Sequence, residues 1–206
     1  PISEYISGAY AVHFPGMLLE LTEEMRGACE RLVEIAREKG ILVSFDPNIR
    51  RELSADAAAR ARLLWAVRHA DVVAPTLSEG QMITGETSIG GVLRALHAMG
   101  PRVVALTRDK DGAVLSRGGE VAVAAGIDEE PVDPTGAGDT LAAALCVGLQ
   151  EDMPLARLAA FCNCAGTLVI KKKGAIGMAL PERGQVDAMV ASGVCRVECM
   201  PLESLV

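Results

Sequence analysis

The run Pro134-Thr135-Gly136-Ala137-Gly138-Asp139 joins a backbone that cannot form a regular element to a carboxylate. From Thr140 onward, small and aliphatic residues read as a helix, with Leu141, Leu145 and Leu149 four apart on one face. Gly136, Ala137 and Gly138 are therefore expected to form a tight turn feeding that helix, with Asp139 in its first turn. The amides of such a turn have no partner inside the helix, and the helix dipole adds to their pull on an anion. A carboxylate beside an anion pocket suits a base next to a phosphate. Asp139 would take a proton from a hydroxyl while the turn holds the charge of a moving phosphoryl group. The plainer alternative is that the glycines shape a turn and Asp139 caps a helix.

Four further stretches carry chemistry-bearing residues. Asp46-Pro47-Asn48-Ile49-Arg50 follows a β-prone run that ends at Phe45, and Arg50 offers a planar fork of donors suited to phosphate or carboxylate. Thr76-Leu77-Ser78-Glu79 places an acid at a helix start, where a purely structural role is the alternative. Thr107 to Gly112 is a polar loop after another apolar run. Cys162 to Ala175 reads as a helix that ends in a Lys run, with Gly174 as its C-cap. His13, His69 and His97 have no partners at catalytic spacing and are assigned no role.

The elements that must position these residues alternate. Strands are expected over 4–12, 41–45, 71–74 and 102–107, and a hairpin over 112–116 and 120–124 around Gly118-Gly119. Helices are expected from Thr22 to Gly40, from Ser54 or Ala55 to His69, and over 78–84, 89–99, 140–149, 155–172 and 184–191. Residues 194–200 read as a further strand, and Gly126 to Glu130 as an acidic linker. This alternation implies an α/β sandwich with a largely parallel sheet and ligands beyond the carboxyl ends of the strands. Residues 1–192 are expected to be one catalytic core and 193–206 a C-terminal tail.

Composition narrows the function classes. The chain has 206 residues, half of them hydrophobic, which is enough for a sizeable core, and only 3% aromatic, so that core must be aliphatic. A net charge of −7 argues against a general nucleic-acid or membrane surface. No apolar run approaches the ~18 residues of a membrane-spanning helix, and no signal peptide is visible. The 6 cysteines read as reduced, mostly buried thiols of a cytoplasmic protein, at spacings that match no zinc ribbon or finger.

The signature turn and helix start resemble the Asp-Thr-Thr-Gly-Ala-Gly-Asp pattern of the ribokinase-like (PfkB) carbohydrate kinases, with Pro134 an ordinary variant and Leu141 standing where that family often has Phe. The Asp-Pro-Asn-x-Arg string is similar to that of fructokinases and 2-keto-3-deoxygluconate kinases. The resemblance implies a three-layer α/β/α sandwich and an ATP-dependent kinase acting on a hydroxymethyl group of a sugar or sugar acid. Asp139 is then the catalytic base, Gly136, Ala137 and Gly138 the anion hole, and Asn48 and Arg50 face the transfer site or the sugar. Glu79 would organise Mg²⁺ through water. Thr107, Gly112, Asn163, Gly166 and Gly174 would border ATP, and Asp133 and Thr135 match positions that hold a monovalent cation, K⁺, in some members. Two positions depart from the family pattern: Thr76 replaces an Asn, and Asp109 replaces a Gly where phosphates should lie. The resemblance covers residues 2 to about 190 and begins part-way into the family's length. The chain is thus expected to be a kinase without its first third, to self-associate through exposed strand edges, and to take no nucleic acid or membrane as partner. The alternative expectation is a nucleotide-binding domain without turnover.

Overall fold

The computed structural model describes residues 2–49 and 56–205, which fall into two compact units, one ending at Ala105 and one beginning at Leu106. In the first unit, helix α1 (Ile2–Tyr5) precedes strand β1 (Ala11–Pro15), followed by α2 (Leu18–Leu21), α3 (Glu23–Glu38), β2 (Leu42–Asp46), α4 (Ala57–His69), β3 (Val72–Val73), α5 (Leu77–Thr84) and α6 (Ile89–Met99). Strand β4 (Val103–Thr107) runs across the boundary between the units. The strands β1 to β4 pair in parallel and in sequence order, with Ala11 opposite Leu42, Ser44 opposite Val72, and Val72 opposite Val103.

Local chemistry sets these elements. Thr22 caps α3 by accepting from the Met25 amide, and Asp56 caps α4 by accepting from the Ala59 amide. Sequence reading expected α4 to begin at Ser54 or Ala55; both lie outside the described residues. It also expected a strand over 4–12. Instead residues 2–5 form one helical turn, with Tyr5 93% exposed, and the strand begins at Ala11, where Val12 and Phe14 turn inward. Alternation of buried side chains, rather than β-propensity, decides where the strand lies. Phe14 and Phe45 meet at 5.0 Å between ring centroids, tying β1 to β2 in a core otherwise built from Val33, Ala36, Val43 and Val67.

The second unit holds β5 (Gly112–Arg117), β6 (Glu120–Ala125), α7 (Ala137–Gln150), α8 (Leu155–Ile170), α9 (Arg183–Ala191) and β7 (Val197–Pro201). These three strands are antiparallel, β5 to β6 through the Gly118-Gly119 turn and β6 to β7. Both turn glycines have positive φ, as a two-residue hairpin of this twist requires. The strands are thus mixed, with a parallel core and an antiparallel meander. The segment read as a C-terminal tail supplies β7, the meander's third strand.

Helices α7 and α8 pack closely enough to fix the start of α7. A Cβ on Gly148 would fall 2.3 Å from Leu158 Cδ1, and one on Gly166 would lie 3.4 Å from the Ala137 carbonyl oxygen. Leu141 and Leu145 are buried in this unit, as the four-residue spacing predicted; each contributes about 1.5–3 kcal/mol by leaving water.

Candidate active site

The signature turn is in the second unit. Gly136 is the N-cap of α7 in the left-handed conformation, φ 86°, and makes no side-chain cap. The Thr140 amide donates to the Gly136 carbonyl at 2.9 Å, and the Ala137 amide makes a long bond of 3.4 Å to the Pro134 carbonyl. The Gly138 and Asp139 amides have no acceptor among the described residues, and nothing lies within 4 Å of where a Gly138 Cβ would stand. The Gly136 amide likewise has no acceptor among the described residues, so of the three donors expected from sequence Gly136 and Gly138 are open, the Asp139 amide is a further one, and Ala137 turns its N–H back onto the loop. Asp139 is exposed in the first turn of the helix.

Asp139 also lines a cavity of about 350 Å³ walled by Ala143, Ala144 and Val147 of α7 and Phe161 of α8. Thr140, 8% exposed, borders the same cavity, and its hydroxyl oxygen is buried without a partner. Arg183 stands at the rim, 5.1 Å over the Phe161 ring, with its guanidinium held by Glu151 and Asp187. Sequence reading missed Phe161 and Arg183. Each sits on a helix far along the chain, and no local motif marks them.

Asp133 closes the turn from behind. One carboxylate oxygen accepts from the Thr135 amide at 3.0 Å and the other from the Gly174 amide at 2.9 Å. Hydrogen bonds from the Thr135 hydroxyl and amide, then from the Gly174 amide, hold its pKa down at about 2, with a smaller contribution from Lys173. A carboxylate has roughly four lone-pair sites, and N–H and O–H donors here take most of them. In this structure Asp133 and Thr135 serve the turn itself, the one as acceptor and the other as donor. Gly174, φ 90°, instead joins the loop after α8 to the signature turn. Ala175 seals the join, since its Cβ would lie 2.7 Å from a Cβ on Gly136.

The loop after β4 has its own constraint. Asp109 has φ 51°, a left-handed conformation that Asp tolerates better than most residues, so it fills a position where Gly is the easier choice. The neighbouring Arg108 donates to the Asp111 carbonyl at 2.7 Å. Thr107 is half-buried, and Gly112, φ 87°, is buried where a Cβ would fall 2.3 Å from the Ala124 carbonyl oxygen. Gly126, read from sequence as part of a linker, belongs to the same constraint: its Cβ would lie 1.8 Å from the Lys110 carbonyl oxygen.

Asn163 and Gly166 sit in the interior of α8. Asn163, 8% exposed, donates through its amide nitrogen to the Ala125 carbonyl at 2.9 Å and to Cys195 Sγ at 3.3 Å. Both of its N–H donors are thereby spent inside the unit. Gly166 packs against α7. The pair braces α8 within its unit. The thiols are all free, and no cluster of three metal-ligating side chains occurs among the described residues.

In the first unit the Asp46 turn and the Thr76 helix start are one structure. The Asn48 amide donates to Asp46 Oδ1 at 3.0 Å, and Asn48 takes φ 39°. The Gly16 amide donates to the Asp46 carbonyl at 2.7 Å, and a Gly16 Cβ would lie 2.1 Å from the Pro47 carbonyl oxygen, so only glycine lets β1 end against this turn. Glu79, 9% exposed, accepts from the Ile49 amide at 2.6 Å, the Thr76 amide at 2.8 Å and the Thr76 hydroxyl at 2.9 Å. With the Thr76 hydroxyl accepting from the Glu79 amide, this is a capping box that also holds the Asn48 turn. Glu79 is therefore placed as a strut, with both carboxylate oxygens engaged by protein donors. Arg50 lies outside the described residues.

Comparison with known proteins shows the family. The model of the pfkB family carbohydrate kinases matches residues 4–183. A fructokinase-1 from Zea mays is 31% identical over 206 residues, covering 91% of this chain and 60% of the relative. A 2-dehydro-3-deoxygluconokinase from Bacillus subtilis is 26% identical, covering 92% of this chain and 59% of the relative. The solved fructokinase from Vibrio cholerae, bound to fructose, ADP and calcium ion, superposes with a TM-score of 0.76 at 28% identity, covering 86% of this chain and 59% of that one. The chain thus spans about three fifths of the length of these relatives. The fold is the ribokinase-like α/β fold. Among the described residues no helix is long and apolar enough to cross a membrane.

Proposed function

This chain belongs to the pfkB family of carbohydrate kinases, and on that premise we propose that it carries the phosphoryl-transfer residues of an ATP-dependent kinase acting on a hydroxymethyl group of a sugar or sugar acid. One observation carries the reading: an exposed carboxylate, Asp139, sits in the first turn of α7 beside amides that have no protein acceptor. In this reading Asp139 takes the proton from the acceptor hydroxyl. The open amides at Gly138 and Asp139 and the positive end of α7 stabilise charge on the transferred group. Gly136 and Ala137 set the turn that aims them. Gly112 lets the loop after β4 approach phosphates, and Thr107 stands at its start. Mg²⁺, carried on the nucleotide, neutralises phosphate charge. In the first unit Glu79 positions the Asn48 turn, and Arg50 and Asn48 supply donors for phosphate or sugar.

A second reading, nucleotide binding without turnover, draws on two observations. Asp109 brings a negative charge into the loop after β4, and Asn163 spends its donors internally. One variant separates the readings. In the complete protein, Asp139→Asn lowers the turnover number at least about a hundredfold while calorimetric ATP affinity stays within about twofold. Near-normal turnover in that variant removes the base assignment. Parent protein that binds ATP and shows no turnover with any sugar or sugar acid favours the second reading.

A further inference from the structure

A cavity of the first unit lies away from all of these motifs. It encloses about 500 Å³ and is lined by Arg37, Lys39 and Arg102, with Asp71 the only acid. Its walls come from the residues that lead into the parallel strands: Tyr10 before β1, Ile41 before β2, Asp71 before β3 and Arg102 before β4. The Asp46 and Thr76 motifs, by contrast, follow the carboxyl ends of β2 and β3. The basin is therefore a second place, at the opposite end of the same strands.

Asp71 and Arg102 are held in position. Asp71 accepts from the Val43 amide through one oxygen and from Arg102 through the other, both at 3.0 Å, so the carboxylate is tied to β2 and orients one guanidinium. Arg37 donates to the His69 carbonyl at 3.3 Å and keeps most of its five N–H donors. Neither Arg37 nor Lys39 has an ion-pair partner among the described residues. Three cations line it against one carboxylate, in a chain whose net charge is −7. Planar guanidinium forks and a flexible ammonium are the donor set that phosphate oxygens take.

We propose that this basin binds a small phosphate-bearing anion at a site separate from phosphoryl transfer. The inference does not depend on the kinase reading. The probe is sodium pyrophosphate, titrated by calorimetry into the complete chain, with fluorescence of the single tryptophan as a second readout. Trp65 stacks on His69 at 4.7 Å, and the His69 carbonyl is the one that Arg37 holds.

Saturable binding is expected. Arg37→Ala and Lys39→Ala should each weaken it about tenfold, the loss of one charge-assisted contact, while Lys39→Arg retains it and ATP affinity is unchanged in all three. Lys39 is exposed, so Lys39→Gln provides a second neutral variant with no expected effect on folding. Three results overturn the proposal: no saturable heat, the same response to sodium chloride at equal ionic strength, or full pyrophosphate binding in the Arg37→Ala, Lys39→Ala double variant. The last would assign the binding to the signature turn alone.

Discussion

Replacing Glu79 with Ala tests whether this acid is a strut or a metal organiser. The substitution removes the acceptor for the Ile49 amide, the Thr76 amide and the Thr76 hydroxyl. Loss of a helix cap costs about 1 kcal/mol. An amide left unsatisfied in a largely buried place costs about 1–3 kcal/mol, and water reaching the half-buried Ile49 amide reduces that figure. Together these give about 2–3 kcal/mol. A protein of this size loses about 2–4 °C of Tm per kcal/mol, so a fall of about 4–12 °C is expected. Trp65 lies in the same unit and is the only tryptophan, so its fluorescence reports the relevant transition. Glu79→Gln keeps one acceptor but turns an amide group toward donors, and should fall between Ala and the parent. If Glu79 instead serves only Mg²⁺, both variants melt within about 1 °C of the parent and their defect is relieved by raised Mg²⁺. That outcome would refute the strut assignment.

Two further predictions concern the signature turn. Asp133 has a pKa held below its ordinary value, so the bonds that staple Thr135 and Gly174 strengthen the native state above the unfolded carboxylate pKa of about 3.9 and fade as pH falls toward about 2. The protection of the Thr135 and Gly174 amides, taken as exchange relative to the intrinsic rate at each pH, should fall across that window, and in Asp133→Asn it should be low already at neutral pH; protection independent of pH and of residue 133 would refute the staple. Gly136→Ala forces a Cβ into a left-handed conformation and to 2.7 Å from Ala175 Cβ, so it should destabilise the second unit by about 2–4 kcal/mol in urea unfolding. Gly138→Ala meets nothing within 4 Å and should stay within about 0.5 kcal/mol; equal effects at the two positions would contradict the geometry.

The sequence by itself determined the elements whose signals are local. Thr22 as a cap, the α6 boundaries and the Gly118-Gly119 hairpin rest on neighbours a few residues apart, and all three stand as expected, whereas α7 begins at Ala137, so that only Gly136 of the expected turn lies before the helix. Backbone preference and side-chain period act within that range. The family was legible for the same reason, because its signature is contiguous. Tertiary structure alone decided what each polar side chain does once the chain is folded. Glu79 meets Ile49, Asp133 meets Gly174, Asn163 meets Ala125, and Gly16 makes room for Pro47, across separations that no local pattern encodes. Most buried polar atoms are satisfied by another group, and that partner is fixed by packing rather than by sequence distance. The same rule leaves the Gly138 and Asp139 amides open at the start of α7, beside the carboxylate of Asp139.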